Sequence, residues 1–226
     1  NYLAIPVIVG KKSDKEKFAG AEETYTIEAM MYNGVALQNG TSHYFGQKFA
    51  KAFDIKFLNK ENKWEYPYQT SWGVTTRMIG GLIMVHSDDY GLVLPPNIAP
   101  IKVSIVPIKE TESVIETVRY FEEGLRANDI TFVTDNSDKS PGYKFAESEV
   151  KGYPVRLEIG PRDLENNQVT LVRRDTREKI TLDKSDAINK IKDLLIEIQH
   201  NLYNRALDRR NSMLYNNVQT YEELTD

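Results

Sequence analysis

"IKVSIVPIKETESVIETVRYFEEGLRANDITFVTD", residues 101–135, decides how the second half of the chain folds. "IKVSIVPI" (101–108) is a short apolar run that reads as a buried strand. Val114, Val118, Phe121 and Leu125 then recur at helical spacing and stripe one face of a helix. "DITFVTD" (129–135) returns to strand. Downstream, "GYKFAESEVKG" (142–152) reads as a short helix, and "PVRLEIG", "NQVTLVRR" and "EKITL" as three successive strands. Strand, helix, strand, helix, strand is the grammar of a mixed or parallel sheet covered by helices. Ser185 can cap the long helix that follows, which carries Ile188, Ile191, Leu195, Ile198 and Leu202 on one stripe. The last stretch, from Arg209, is polar.

Upstream of this block lie the three prolines of "LVLPPNIAP" (92–100), which remove backbone donors and fix φ. They make a stiff connector and the best candidate boundary between two domains. Before them the chain reads as antiparallel strands. "TYTIEAMMY", Asn33-Gly34 and "VALQ" form a hairpin, with a type I′ turn expected at Asn-Gly. "AKAFDIKFLN" and "KWEYPYQTSW" make a second strand pair across "KENK". In "TTRMIGGLIMVHSDDYG" (75–91) the period becomes helical through Met78, Ile79, Leu82, Ile83 and Val85, with Thr75 or Thr76 as the cap and Gly91 beyond the end.

At 226 residues the chain has room for one large domain or two of about 100 residues. Its 40% hydrophobic and 27% charged residues describe a globular protein. A net charge of −4 excludes a uniformly basic nucleic-acid binder and leaves room for a local basic face. The absence of cysteine excludes disulfides and thiolate metal sites. No apolar run approaches about 18 residues and no secretion leader is visible, so neither a membrane span nor export is expected. "NYLAIPVIVG" opens without methionine and is read as starting within a strand, so a piece of a longer protein is expected.

The polar run "QNGTSHYFGQ" (38–47) presents Gln38, Thr41 and His43 together, at what reads as the end of a strand. His43 among converging polar groups is either a ligand contact or a satisfied structural histidine. Arg77 follows an aromatic strand, a glycine and two threonines at a helix start. Its planar cation suits both a flat ring and phosphate oxygens, and equally a surface ion pair. Gly80 and Gly81 sit inside a helix and not before one, so close packing is expected there and not a phosphate loop. "HSDD" (86–89) reads as a helix-ending turn in preference to a metal cluster, and His200 as solvated.

Four blocks carry a family resemblance: "GKKSDKEKFAGAEETYTIEA", "LQNGTSHYFGQKFAKAFDIKF", "QTSWGVTTRMIGGLIMVHSDDYGLVLPPNIAP" and "PGYKFAESEVKGYPVRLEIGPRDLENNQVTLVRRD". In that order they resemble prolyl-tRNA synthetase of the archaeal and eukaryotic type, from about residue 4 to about 223. The resemblance implies part of a class II synthetase antiparallel sheet with helices, an α+β arrangement, followed by a mixed-sheet α/β anticodon-binding domain. It implies the back half of the catalytic domain at 1–99, the anticodon domain at 100–199 and a connector at 200–226. Of the three class II signature motifs only the third is expected here, around "TTRMIGG". The first two belong upstream, so this piece alone is expected to be inactive.

The resemblance also implies roles. Gln38, Thr41 and Arg77 match ATP contacts, with Arg77 the catalytic third-motif arginine. His43, Phe18, Ser71, Trp72 and Gly73 match the proline pocket. Phe145, Glu149, Arg156, Arg162 and Asp163, with Lys179 as a weaker match, correspond to the readers of two guanines in the anticodon. ATP and a magnesium ion are implied, the latter held mostly by residues outside this piece, so no metal ligand is assigned. The implied partners are tRNA(Pro), proline and ATP in a cytoplasmic homodimer, with no membrane and no DNA. A noncatalytic tRNA-binding or regulatory relative that keeps the fold is the alternative; loss of Arg77, Phe18 or "TSH" would have favoured it.

Overall fold

The computed structural model describes residues 1–215 and 218–225. Contacts divide the chain into two compact units: residues 6–81 with 213–226, and residues 1–5 with 82–212. The division falls inside the helix at 77–86, not at the prolines of 92–100. Residues 216–217 and 226 of the expected connector lie outside the described residues.

The first unit is built on four strands: β1 (Val7–Lys11), β2 (Glu23–Met30), β3 (Ala36–Gly46) and, after α1 (Lys48–Ala52) and the ribbon β4 (Phe57–Leu58)–β5 (Trp64–Glu65), β6 (Gln69–Val74). They form one antiparallel sheet in the order β1-β2-β3-β6. Helix α2 (Arg77–His86) follows, opened by Thr75, whose Oγ1 accepts from Arg77 N at 3.2 Å.

Three expectations change here. The β2–β3 turn is not type I′: Gly34 alone has positive φ (+82°), Gly34 N donates to Met31 O and Met31 N to Val35 O. This is a three-residue loop in which a type I turn is followed by a left-handed glycine, so Asn33 need not enter the left-handed region. "AKA" (50–52) is helical, because α1 buries Ala50 beneath the sheet's end instead of extending as a strand. The polar run at 38–46 lies within β3, not beyond a strand end, since both of its neighbours, β2 and β6, satisfy its backbone.

The second unit begins with β7 (Val103–Pro107) and continues through α3 (Glu112–Ala127), β8 (Phe132–Thr134), α4 (Pro141–Lys151), β9 (Val155–Ile159), α5 (Pro161–Leu164), β10 (Gln168–Arg173), β11 (Lys179–Asp183) and α6 (Ala187–Ser212). A last short helix, α7 (Tyr221–Thr225), groups with the first unit. The sheet order is β11-β10-β9-β7-β8, with β7 parallel to β8 and β9 and the other two pairings antiparallel. This is the mixed sheet that the alternation of strand and helix predicts.

One face of that sheet is apolar. Val103, Ile105, Val155, Leu157, Ile159, Val169 and Leu171 form one core with Val114, Phe121 and Leu125 of α3 and Ile191, Leu194, Ile198 and Leu202 of α6. Each such side chain contributes about 1.5–3 kcal/mol on burial. Thr111 caps α3 through Val114 N, and α4 ends on Gly152 in the left-handed conformation (φ +72°). A side chain at Gly152 would also collide with Leu92, so the proline-rich segment packs on this unit and Val93 joins its core. Helix α6 runs unbroken to Ser212 with Leu202 and Ala206 buried, so 200–212 is packed helix and not a connector. Its first turn is closed by Asp186 O, one residue after the expected cap Ser185.

Candidate functional site

In a strand, alternate side chains face opposite sides, so Gln38 would not share a face with Thr41 and His43. A bulge brings them together. Ile27 pairs with Gly40 and Glu28 with Gln38, leaving Asn39 as the extra residue on β3. One inserted residue shifts the alternation by one place. Gln38 therefore lies on the face of Glu28, Thr26 and Thr24, with Thr41 opposite Thr26 and His43 opposite Thr24. Asn39 points the other way and is buried, with Gly81 of α2 leaving room: a Cβ there would lie 3.1 Å from Asn39 Oδ1. Gly80, by contrast, meets nothing, so the packing role expected of both glycines belongs to Gly81.

Thr24 Oγ1 hydrogen-bonds His43 Nδ1 at 2.9 Å and holds the ring in the sheet face. Phe18 stands 5.5 Å from the His43 ring, centroid to centroid, and Phe45 stacks on the same ring at 5.9 Å. Gly20 permits this packing, since a Cβ there would run into the rings of Phe49 and Phe18. Lys12 Nζ donates to Gln38 Oε1 at 2.6 Å, which leaves the amide nitrogen of Gln38 as the open donor. Arg77 is exposed, and its Nη1 donates to Gln38 O at 3.4 Å. Beside this face, a groove of about 300 Å³ is lined by Gly10, Lys12, Ser13, Thr26 and Glu28.

Strand β6 adds Ser71 opposite His43 and Gly73 opposite Thr41, on the same face. Gly73 leaves its surroundings open: a Cβ at that position would meet nothing within 4 Å. Trp72 pairs with Ser42 and projects to the opposite face, where it lines a cavity with Val9, Tyr25, Ile27, Gly40 and Val74. The pleat thus separates Trp72 from Ser71 and Gly73.

A second cluster lies on the polar face of the mixed sheet. "VRLEI" alternates apolar and charged residues, which would normally put Arg156 and Glu158 in water. Helix α4 covers them, and both are 5% exposed. Arg156 Nε and Nη2 donate to Glu158 Oε1 at 3.0 and 2.9 Å, and Nη1 to Glu149 Oε1 and Phe145 O at 3.1 and 3.2 Å. Its guanidinium lies over the Phe145 ring at 4.5 Å. Lys179 reaches Glu158 Oε2 at 3.4 Å from two strands away, through the register Arg156–Val172–Lys179. Phe145, Glu149, Arg156 and Lys179, four of the six residues expected to read the anticodon, are thereby gathered. Arg162 and Asp163 stand on α5 at the end of β9, and among the described residues no side-chain hydrogen bond joins them to the cluster.

Sequence reasoning missed Glu158, Thr24, Lys12 and Arg174. The alternation of "VRLEI" and the threonines of "TYTI" signal the first two. Arg174 has no local signal. It is nearly fully buried and grips Asp88 with both Nη atoms at 2.8 and 2.6 Å, while its Nε donates to Glu149 O at 3.1 Å. That pairing holds the Asp88 carboxyl below its usual range. His86 is buried with Nε2 bonded to Leu3 O at 2.9 Å, and burial, with Arg209 and Arg205 nearby, lowers its pKa to about 4. So "HSDD" is a packed helix end, and His200 is exposed. Among the described residues no group of three or more His, Asp or Glu could hold a metal ion, and no helix is long and apolar enough to cross a membrane.

Residues 102–194 match the family model described as "Anticodon binding domain". Over 225 residues the chain is 52% identical to the proline–tRNA ligase of Lachnospira eligens, covering 99% of this chain and 47% of that protein. It is 51% identical over 226 residues to that of Mesoplasma florum, covering 99% and 48%. Among solved structures it is similar to prolyl-tRNA synthetase from Cryptosporidium parvum complexed with L-proline and AMP, with a TM-score of 0.88 and 41% identity, covering 93% of this chain and 46% of that one. The chain spans about half the length of the curated relatives it matches. With "TSH", "TTR" and "EIGPRD" set in a bulged antiparallel sheet and a mixed sheet, and with identity above one half along almost its whole length, the chain belongs to the prolyl-tRNA synthetase family.

Proposed function

We propose that the protein acts as a proline–tRNA ligase. The carboxylate oxygen of proline attacks the α-phosphorus of ATP, and the bond to the bridging oxygen breaks. Prolyl-adenylate forms, pyrophosphate leaves, and the prolyl group then passes to the terminal adenosine of tRNA(Pro). The observation that carries this reading is the face on which the Asn39 bulge aligns Gln38, Thr41 and His43, with Phe18 against His43 and Arg77 at Gln38. An aromatic wall beside a few placed polar groups suits a small apolar ring that bears a charged amine. The solved relative complexed with L-proline and AMP supports the same two ligands.

In this reading Phe18, His43, Ser71 and Gly73 serve proline from one face of the sheet, and Trp72 packs behind them on the other. Gln38 and Thr41 serve ATP through an amide and a hydroxyl. Arg77 stacks on adenine and balances charge on the phosphates. No side chain acts as a nucleophile; rate comes from holding the carboxylate in line and stabilising the departing charge. A magnesium ion accompanying ATP would be held mostly by residues outside this chain together with the phosphates, and we assign it no ligand here. We assign the antiparallel sheet within 1–99 to the catalytic domain and the mixed sheet within 100–199 to the anticodon domain, in a cytoplasmic homodimer with no membrane or DNA partner.

Guanine offers two donors on its Watson–Crick edge, which a carboxylate can accept, and O6 and N7 acceptors for a cation. Glu149 and Asp163 fill the first role and Arg162 the second, while Phe145 offers a ring for stacking. Arg156 and Lys179 hold the carboxylates in place as well as adding positive charge. The experiment compares two steps in the full-length enzyme. Arg77→Ala should cut proline-dependent ATP–pyrophosphate exchange by about 10²–10³. Glu149→Ala should leave exchange unchanged and lower aminoacylation about ten- to a hundredfold, the worth of one base-edge contact. Exchange within a few-fold of wild type in Arg77→Ala would remove Arg77 from the site; loss of both steps in Glu149→Ala would make Glu149 structural.

A further inference from the structure

Helix α4 divides the polar face of the mixed sheet. Phe145 and Glu149 look toward the Arg156 cluster, and the next residues round the helix, Lys144 and Ser148, look toward edge strand β8. There a cavity of about 200 Å³ opens between Ser104 of β7, Lys144, Glu147 and Ser148 of α4, and Thr134 and Asp135 at the end of β8. It has no part in the two sites above.

Its lining is unbalanced in a particular way. Ser104 and Ser148 are 3% and 4% exposed, and neither hydroxyl has a hydrogen-bond partner among the described residues. Among the described residues the buried side-chain atoms left without a partner lie elsewhere, on Asn39 and Gln69, so the two serine hydroxyls are open to the cavity and available to whatever enters it. Lys144 is 7% exposed, donates only to Asp135 O at 3.0 Å, and pairs with no carboxylate among the described residues. The carboxylates at the rim are already engaged. Asp135 Oδ1 accepts from Ser137 N and Oγ at 3.0 and 2.6 Å, and Glu147 takes both Lys139 and Lys151 at 3.0 and 2.9 Å. Three ammonium groups therefore face two carboxylates, and two hydroxyls and Lys144 have donors to spare.

Water would satisfy the serines and leave the lysine charge unmatched. A compact oxyanion, rich in acceptors, answers both. We propose that this cavity binds a phosphate group, and that in the complex with tRNA it takes a backbone phosphate of the strand whose bases reach the opposite flank of α4. The RNA part rests on the anticodon reading above. The two flanks are separated by one helix width, about 10 Å, a span that a short unpaired RNA segment covers.

A phosphate contact weakens binding alike for all sequences and carries salt dependence, whereas a base contact discriminates. tRNA affinity of the full-length protein is measured against salt for wild type, Lys144→Met and the double variant Ser104→Ala/Ser148→Ala, on tRNAs with guanine or adenine at the last two anticodon positions. Lys144→Met should lower the slope of log K against log salt by about 1, equally on both tRNAs. The double variant should weaken binding several-fold while melting no lower than wild type, because its hydroxyls have no protein partner to lose. It keeps the test decisive if Lys144→Met folds poorly. Inorganic phosphate titrated into RNA-free protein should shift the amide resonances of Ser104 and Ser148, and the double variant should lose the response.

Phosphate binding with unchanged tRNA affinity in the double variant would overturn the RNA source and keep the oxyanion site. No response to phosphate and no change in tRNA affinity in either variant would overturn the whole proposal. Glu149→Ala reports on the anticodon reading separately: if it binds tRNA normally while Lys144→Met loses slope, that reading fails, the assignment to the strand of the anticodon bases falls with it, and the phosphate contact itself stands.

Discussion

The two candidate sites are both polar surfaces of β-sheets, yet they are organised in opposite ways. On the antiparallel sheet, the side chains of Thr41 and Ser71 make no hydrogen bond among the described residues, exposed Arg77 reaches the Gln38 carbonyl at 3.4 Å, and a Cβ at Gly73 would meet nothing within 4 Å. On the mixed sheet, Arg156 donates to Glu149, Glu158 and the Phe145 carbonyl before any ligand arrives. An open face changes little when one residue is removed, because what is lost is a contact with the ligand. A paired and buried cluster changes everywhere, because each partner then keeps an uncompensated charge. On the proposed function, the difference separates residues that meet a ligand from residues that hold those residues in place.

Arg156→Ala gives the largest break in that contrast. It strands Glu158 with only Lys179 at 3.4 Å and releases Glu149. Breaking a buried pair costs about 3–5 kcal/mol, so chemical unfolding should show a loss of that size. Arg77→Ala, on the open face, should leave the unfolding free energy within about 0.5 kcal/mol of wild type. Equal stability losses in the two variants would erase the distinction.

His86 supplies the next effect, by pH. Its folded pKa of about 4 lies below its ordinary value of 6.5, so the unfolded chain binds the proton more tightly. The stability due to a neutral, buried His86 is thus complete above pH 6.5 and is lost as pH falls from there toward 4. The loss is on the order of 3 kcal/mol. The unfolding free energies of wild type and His86→Gln, measured from about pH 7 to about pH 4, should converge by that amount. Parallel curves would mean that burial does not set this pKa.

Lys179→Ala is the smallest and the sharpest. Its side chain is 59% exposed, so its ion pair with Glu158 contributes about 0–1 kcal/mol to stability. A large loss of tRNA charging with so small a loss of stability would move Lys179 to the ligand-contacting group. Unchanged charging would leave it as a rim charge.

Much of this was legible in the chain. The stripe Val114, Phe121, Leu125 and the alternation of "VRLEI" and "VTLV" follow from the 3.6- and 2-residue periods, and the mixed sheet follows from their order. The motifs around Gln38, Arg77 and Glu149 could also be read, because side-chain chemistry is written residue by residue. Local pattern misjudged the segments whose partners are remote. β3 continued through a polar run because β2 and β6 supplied its backbone bonds, and residues 200–212 stayed helical because Leu202 and Ala206 pack on the second unit.

The sequence by itself determined most of the element types, the two kinds of sheet and the candidate residues for chemistry. Only tertiary structure decided which of those residues share a face. The extra residue at Asn39 is visible only as a register shift between paired strands, and without it Gln38 would face away from Thr41 and His43. The burial of Arg156 and Glu158 depends on α4 crossing a face that alternation alone would give to water. Arg174 meets Asp88 across 86 residues of chain. The physical reason is common to all three: side-chain chemistry and periodicity are local, whereas strand register, coverage and charge pairing are set by partners distant in sequence.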